Sequence, residues 1–395
     1  MATADANRVN MALVRETGFA EDPPDPTPTL QDIRFTSESL GQDTETTTSQ
    51  EIRSDRQVPD VVRTNVGASG DTAHELSYGT FDGLLESAFL ADSAFSSEVE
   101  MYNGSVATFD AGAQTVAAPG IDSSAVLGSW VLIEGATNPS NNGRFKITGI
   151  ASGVLTLARG ETSIVDESTG ATVTVTMLSE ITNGTTLNTY FIEKEYTDLT
   201  NTFEQLLGMA IQQWSLNIAA GSIITHNFGW IGSKAKSATS TGGDGSNTAA
   251  TTTGVMNAVD NIVKIFEGSG TAADLSAQNI ALQLSNNLRS LNKIGTLGAF
   301  ELGTGSIDLT GTVQAYFEDR ELIEEYLEFN DSHIATSIID SANNRYILDV
   351  PRIRYTSARR VAGGINQDVI ADMAWTAFRD PDEDVTIRLV RDDGS

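Results

Sequence analysis

The strongest limit on how this chain can fold is a pattern written twice. The stretches SYGTFDGLLESAFL (Ser77 to Leu90) and AYFEDRELIEEYLEF (Ala315 to Phe329) each place a tyrosine at the end of a short alternating run and follow it with one short amphipathic helix. A constant offset sets Tyr78 against Tyr316, Leu84 against Leu322, Leu85 against Ile323, Ala88 against Tyr326 and Phe89 against Leu327. In the first copy Thr80 is placed to cap a helix with Gly83 on its first turn and Leu84, Leu85, Ala88 and Phe89 as its packed stripe. Helix, hairpin and closing strand recur in the same order around both, so one structural unit is expected twice.

The rest of the chain divides by texture. Residues 1–29 form a polar N-terminal arm; its PPDPTP run removes backbone donors and biases the chain to extended geometry, so the arm is disordered or ordered by a neighbouring subunit. Residues 30–98 hold the first part of the first unit, with a polar loop or extended hairpin around Gly41 to Gln57. Residues 99–178 read as an inserted small all-β domain with Trp130, Leu132, Phe145, Ile147, Val154, Leu155 and Leu157 facing its core. The second part, 179–232, alternates as strands around 188–197, 205–218 and 222–231. A helix through FEQLLGMAIQQW competes, because Leu206, Ala210 and Trp214 fall four apart, but the period of two continues through WSLNI and favours strand. A Gly/Ser/Thr-rich linker of flexible composition fills 233–256, and 257–395 is the second unit, with an Asn-rich hairpin turn at 342–344. Across the units NGTTLNTYFIEKEYT aligns with ANNRYILDVPRIRYT, Tyr190 matching Tyr346, and MAIQQWSLNI with DVIADMAWTAF.

Composition narrows the function classes. With 53 acidic against 24 basic residues the net charge is -29, a surface that repels free nucleic acid and anionic membranes and suits cations or basic partners. The chain has no cysteine, hence neither disulfides nor thiolate metal sites. Its N-terminus lacks the apolar core of a secretory signal and no apolar run is long enough to span a membrane, so it is expected to begin in a cytoplasm without membrane insertion. No phosphate-binding, zinc-protease or nucleophile-elbow motif occurs, and GTGSIDLTGT (303–312) reads as glycine relief at strand bends. His74, His226 and His333 are far apart, and DPDED (380–384) reads as a solvated turn. The expectation is therefore no enzyme, with no catalytic, cofactor-binding or metal residues.

Charges are unevenly spread. Glu318, Asp319 and Glu321 fall in a helix's first turn, where carboxylates meet free amide donors, whereas Glu324, Glu325 and Glu328 repel one another on a face that is solvated or whose field is used. Arg352, Arg354, Arg359 and Arg360, like Arg53, Arg56 and Arg63, fit pairing with the acidic surface of a neighbouring copy.

The stretches RSDRQVPDVVRTNVGASGDTAHELSYGTFDGLLESAFL, TYFIEKEYTD with MAIQQWSLNIAAGSIITHNFGWIG, and NNLRSLNKIGTLGAFELGTGSIDLTGTVQAYFEDRELIEEYL with LDVPRIRYTSARRVAGGINQDVIADMAWTAFRDP together cover most of 30–95 and 180–395. In these the chain resembles the tail tube (major tail) proteins of long, non-contractile-tailed bacteriophages; the insertion resembles the small decoration domains such proteins present outward. The resemblance implies a mainly β fold of two tandem tail-tube β-sandwich/barrel units, each with one short flanking helix, plus the inserted all-β domain. It implies self-association into stacked rings in a virion tail assembled in the host bacterial cytoplasm, with a channel for double-stranded DNA passage. Tape-measure protein and tail terminator/tip proteins would be partners. Members usually carry one fold per chain and six chains per ring; two folds per chain suggest a homotrimer with pseudo-sixfold symmetry, with a homohexamer as runner-up. On this reading a net negative channel lets DNA slide, and the N-terminal arm and the polar hairpin are candidates for ring-to-ring contact. The alternative is an extracellular or surface-layer structural β protein of an acidic-proteome organism, which a signal peptide, carbohydrate-binding aromatics or calcium repeats would mark.

Overall fold

A computed structural model describes residues 3–22, 27–158, 160, 162–168, 170–267, 273–318, 321–362 and 364–394. The chain is mainly β, in antiparallel sheets with two short α-helices. Its first group of main elements is β1 (Val9–Arg15), β2 (Gly41–Thr48), β3 (Val61–Glu75), α1 (Asp82–Ala88), β4 (Tyr190–Tyr196), β5 (Phe203–Ala219), β6 (Thr225–Gly232) and β7 (Lys234–Ala238). The second is β8 (Ile262–Glu267), β9 (Ala277–Ser285), β10 (Asp308–Tyr316), α2 (Glu321–Glu328), β11 (Ser332–Ile339), β12 (Arg345–Ala362), β13 (Val369–Ala377) and β14 (Arg388–Asp392).

Both groups pair in the same pattern. In the first, β1 pairs β4, β4 pairs β5, β5 pairs β7 and β6, β6 pairs β3, and β3 pairs β2. In the second, β8 pairs β11, β11 pairs β12, β12 pairs β14 and β13, β13 pairs β10, and β10 pairs β9. The two longest strands, β5 and β12, each run from one sheet into another, and irregularities in the ladder allow the change of direction. In β5 the bend lies at Gly208, whose φ of +67 suits a residue without a side chain. One further pairing, β5 with β9, joins the groups, so that β2-β3-β6-β5-β9-β10-β13-β12 run side by side.

Period-two burial explains the strands. Along β5, Trp214, Leu216 and Ile218 enter the main core while Gln213, Ser215 and Asn217 alternate with them, which settles the competition between strand and helix. A helix could not have kept that alternation through Ala219. The same core receives Phe228 and Trp230 from β6, Tyr355 from β12 and Trp375 from β13, with Leu84, Leu85, Ala88 and Phe89 from α1. Helix α1 has Phe81 at its N-cap and no side-chain cap; the Thr80 hydroxyl bonds Ser77 and Thr253 instead, which corrects its expected capping role. On α2, Ile323 is buried; Leu322's side chain, expected on the packed stripe, and Asp319, expected in the first turn, lie outside the described residues.

Two segments are more ordered than their composition suggests. The N-terminal arm supplies β1, paired with β4 over seven residues with Met11, Ala12 and Leu13 buried, so its partner is its own chain. The Gly/Ser/Thr-rich linker begins as β7 and is then tied down by buried Glu193, which accepts from the Thr241 hydroxyl (2.6 Å) and the Gly242 amide (2.7 Å).

Residues Val99–Met177 form a separate eight-stranded antiparallel sheet with its own core around Phe109, Val131, Ile133, Phe145 and Ile147. Trp130 and Leu132, expected in that core, sit on the opposite side of their strand and pack on Phe266, Ala335, Ile347 and Val390. Alternation sends Val131 and Ile133 inward and their neighbours outward against the body. Beside this contact, fully buried Lys146 lies 2.6 Å from Asp349 and 2.8 Å from Glu383, while Arg388 reaches Glu383 (2.8 Å), Glu180 (3.2 Å) and Asp349 (3.3 Å). Two cations and three carboxylates thus bind the insertion to the strands of the second group.

Candidate assembly edges and channel face

The row of strands joined through β5 and β9 has two chemically distinct faces. One carries the apolar core and the helices: α1 packs on β5, and α2 packs on β12. The other is polar and concave, its central strands lining a groove of ≈ 560 Å³ with Ser215, Asn217, Thr225, Asn227, Gln283 and Thr312 among its residues. Central strands β5, β6 and β9 place no charged residue on this face. Charge lies toward its sides: Asp43 and Glu45 on β2, Asp71 and Glu75 on β3, Asp372 on β13, with Arg354 and Arg359 on β12. The polar face is therefore mostly hydroxyl and amide, with carboxylates along the β2–β3 side and two arginines beside Asp372 along the β12–β13 side. Glu324, Glu325 and Glu328 on α2 belong to the helix-bearing side, so they add nothing to this face.

The row also ends in two open edges. Among the described residues β2 pairs only with β3, and the stretch of β12 from Arg354 to Ala362 pairs only with β13. Each leaves a line of backbone donors and acceptors without strand partners, an arrangement that isolated proteins avoid because it templates association. The two edges differ in charge. The β2 edge carries Asp43 and Glu45, and the β12 edge carries Arg354, Arg359 and Arg360. Asp331 holds Arg352 (2.6 Å) and Arg354 (2.5 Å), Arg360 lies over the Phe317 ring, and Arg359 stands opposite Asp372. A family model described as a phage tail tube protein matches residues 6–377. The chain belongs to the phage tail tube protein family.

That family is structural, and membership implies a place in the virion tail with self-assembly among tail components. No curated protein sequence matches the chain. No described helix is long and apolar enough to cross a membrane. The arginines that the sequence singled out on 352–360 do gather at one edge, whereas Arg53 and Arg56 lie on the exposed turn between β2 and β3, where Arg53 bonds its neighbour Asp55.

Two buried polar groups went unnoticed in sequence because their partners are distant. His74 and His226 stack at 5.2 Å between Phe81 and Phe228. Burial holds His74 down at about 4 and His226 well below its ordinary value, so both are neutral members of an aromatic cluster. Among the described residues no group of three or more His, Asp or Glu side chains is placed to hold a metal ion. Glu267, at the end of β8, accepts from the Tyr355 hydroxyl (2.8 Å) and Ser332 hydroxyl (3.0 Å) beside the Glu325 carboxyl of α2. Burial first, and the neighbouring Glu325 charge second, push Glu267 up to about 8, which leaves a proton on it at neutral pH.

Proposed function

We propose that the chain holds two tube folds, β1 to β7 and β8 to β14 with one helix each, and that copies join edge to edge into rings that stack as the tail tube. The observation that carries this is the pair of open, oppositely charged edges at the two ends of one curved row of strands. Closing a ring would pair backbone groups along both edges that otherwise bond only to water, each new hydrogen bond adding about 0.5–1.5 kcal/mol net. Recurrence of the pairing pattern favours three chains per ring, six pseudo-equivalent folds, over six chains. The insertion, 99–178, is then an outward decoration domain, since it packs away from the concave polar face.

In this reading the concave face lines the channel through which double-stranded DNA passes. Hydroxyls and amides with flanking carboxylates offer phosphates no cations over the central strands, so the counterion release that drives DNA binding is withheld and the duplex slides. The turn between β2 and β3, with Ile52 and Val58 exposed, together with the exposed start of β3 at Val61 and Val62, projects from the row and is the candidate for contact with the next ring, with tape-measure and terminator proteins as further partners. Microscopy of the purified protein tests the assembly. Uniform hollow tubes whose mass per unit length corresponds to three chains per ring are expected; lone protomers at high concentration would reject tube formation, and six chains per ring would reject the trimer.

A further inference from the structure

Among the described residues the two groups of strands meet edge to edge at the junction between β5 and β9, while Ser179–Thr182, outside both groups, pairs with β14. If the two groups are equivalent, as proposed above, the β5–β9 junction is a worked example of how the second group of one copy should meet the first group of the next. Ladder irregularities supply the alignment. Between β5 and β6, Trp230 stands opposite Ile211 and Gly229 opposite Gln213, with Gln212 as the extra residue. Between β12 and β13, Trp375 stands opposite Tyr355 and Ala374 opposite Ser357, with Thr356 as the extra residue. Ile211 therefore corresponds to Tyr355, and Gln213 to Ser357. A second irregularity agrees: Leu206 and Met209 face Ile192 and Tyr190 in the first group, as Val350 and Ile353 face Ile334 and Ser332 in the second. Both give the same displacement along the chain.

The other edge aligns through the same tryptophans. Trp230 stands opposite Gly70, and Trp375 opposite Gly311. At Gly311 any Cβ would collide with the Trp375 ring and the Ala281 carbonyl, and at Gly70 with the Ser39 backbone, so both glycines are required by close approach. With Gly70 and Gly311 equivalent, Gly41 corresponds to Gln283, since they face Ser69 and Thr310. Glu38 and Ile280, facing Thr72 and Val313, give the same offset.

Carrying the β5–β9 register through this correspondence, we propose that the 357–362 edge of one copy pairs antiparallel with residues 38–43 of the next, Ser357 opposite Asp43, Ala358 opposite Gln42, Arg359 opposite Gly41, and Arg360 opposite Leu40, whose N–H and C=O must first give up Glu38 and Lys194 of their own chain. The chemistry of that register is complementary. Arg359, on the polar face, gains the next copy's Asp43 as a diagonal neighbour, and Arg360, on the core face, gains Glu38. The internal junction has Leu216 opposite Leu282 where the junction between copies has Arg360 opposite Leu40. Charge at the open edge keeps the unassembled chain soluble and then fixes the register when copies meet.

The chain has no cysteine, so paired cysteines report the register directly. Oxidation of assembled Ser357→Cys/Asp43→Cys protein should give chains covalently linked between copies up to a closed ring, while the slipped pair Ser357→Cys/Glu45→Cys should stay unlinked. Linking of the slipped pair, or of neither pair within intact tubes, would overturn the register; absence of tubes from the unsubstituted protein would instead overturn the assembly reading. A charge swap covers the case in which cysteines block assembly. Arg359→Glu and Asp43→Arg should each slow tube growth about tenfold at low salt, and the double variant should recover most of it. Additive losses in the double variant would count against the proposed contact.

Discussion

Replacing Lys146 with methionine should cost about 3–5 kcal/mol, the cost of breaking a buried ion pair from one side. Lys146 and Asp349 are both fully enclosed, 2.6 Å apart, one on the insertion and the other on β12. Without the ammonium, Asp349 loses its shortest cation contact and keeps the Arg388 guanidinium at 3.3 Å and the Trp130 indole N–H at 3.3 Å, while Glu383 keeps Arg388 at 2.8 Å. Three carboxylates would then share one cation, with Asp349 fully enclosed and Glu383 and Glu180 only partly reached by water. Since the damage lies where the insertion meets the body, the expected readout is a lowered denaturant midpoint together with protease cleavage near the ends of Val99–Met177. An unchanged midpoint would mean that the buried network contributes nothing net to holding the insertion in place.

Glu267→Gln should remove a pH dependence. The wild-type carboxyl titrates near 8 when folded and near 4.5 when unfolded, its rise caused mainly by burial and then by Glu325. A group raised in this way stabilises the fold fully below about pH 4.5; that contribution declines as pH rises and is lost through pH 8. Above that range the folded chain carries two adjoining carboxylates beneath α2. Glutamine stays neutral and still accepts from Tyr355 and Ser332. The variant should therefore gain on the wild type progressively between about pH 4.5 and 8, by a few kcal/mol at the upper end. Denaturation of the unassembled chain across that range measures it, and parallel stability curves for the two proteins would contradict the shared-proton site.

Strand and helix identity was legible because it depends on neighbours in sequence: the alternation of Trp214, Leu216 and Ile218 is local, and so is the helical stripe from Leu84 to Phe89. A short helix after a strand was legible in both groups, but the residue matching was not: Phe89 and Tyr78 are buried where Leu327 and Tyr316 are exposed, and the strands that follow were matched one out of step. Tyr190 and Tyr346 look alike in sequence, yet Tyr190 lies on β4 and Tyr346 on β12, and by pairing β4 corresponds to β11. The marks that fix the register are tertiary: a tryptophan seated over a glycine on the next strand, and an extra residue in a ladder. Trp230 and Trp375 were visible as letters, but their shared glycine was not.

The linker and the N-terminal arm read as loose because their composition is polar, and composition is blind to distant acceptors such as Glu193 for Thr241 and Gly242. Trp130 was assigned to the wrong core for a related reason: both sides of its strand are buried, one by the insertion and one by the body. The total charge of -29 does not describe the concave face, which is mainly hydroxyl and amide at its centre. Net charge describes the whole surface and does not say which face holds it.

Hydrogen exchange on the chain before and after tube formation tests edge closure most directly. Among residues 41–43 and 357–362, the alternate amides that point away from β3 and β13 should exchange quickly in the unassembled chain and slow by about a hundredfold or more in tubes, as strand pairing protects them. Tubes in which both segments continue to exchange at the unassembled rate would contradict closure through these edges.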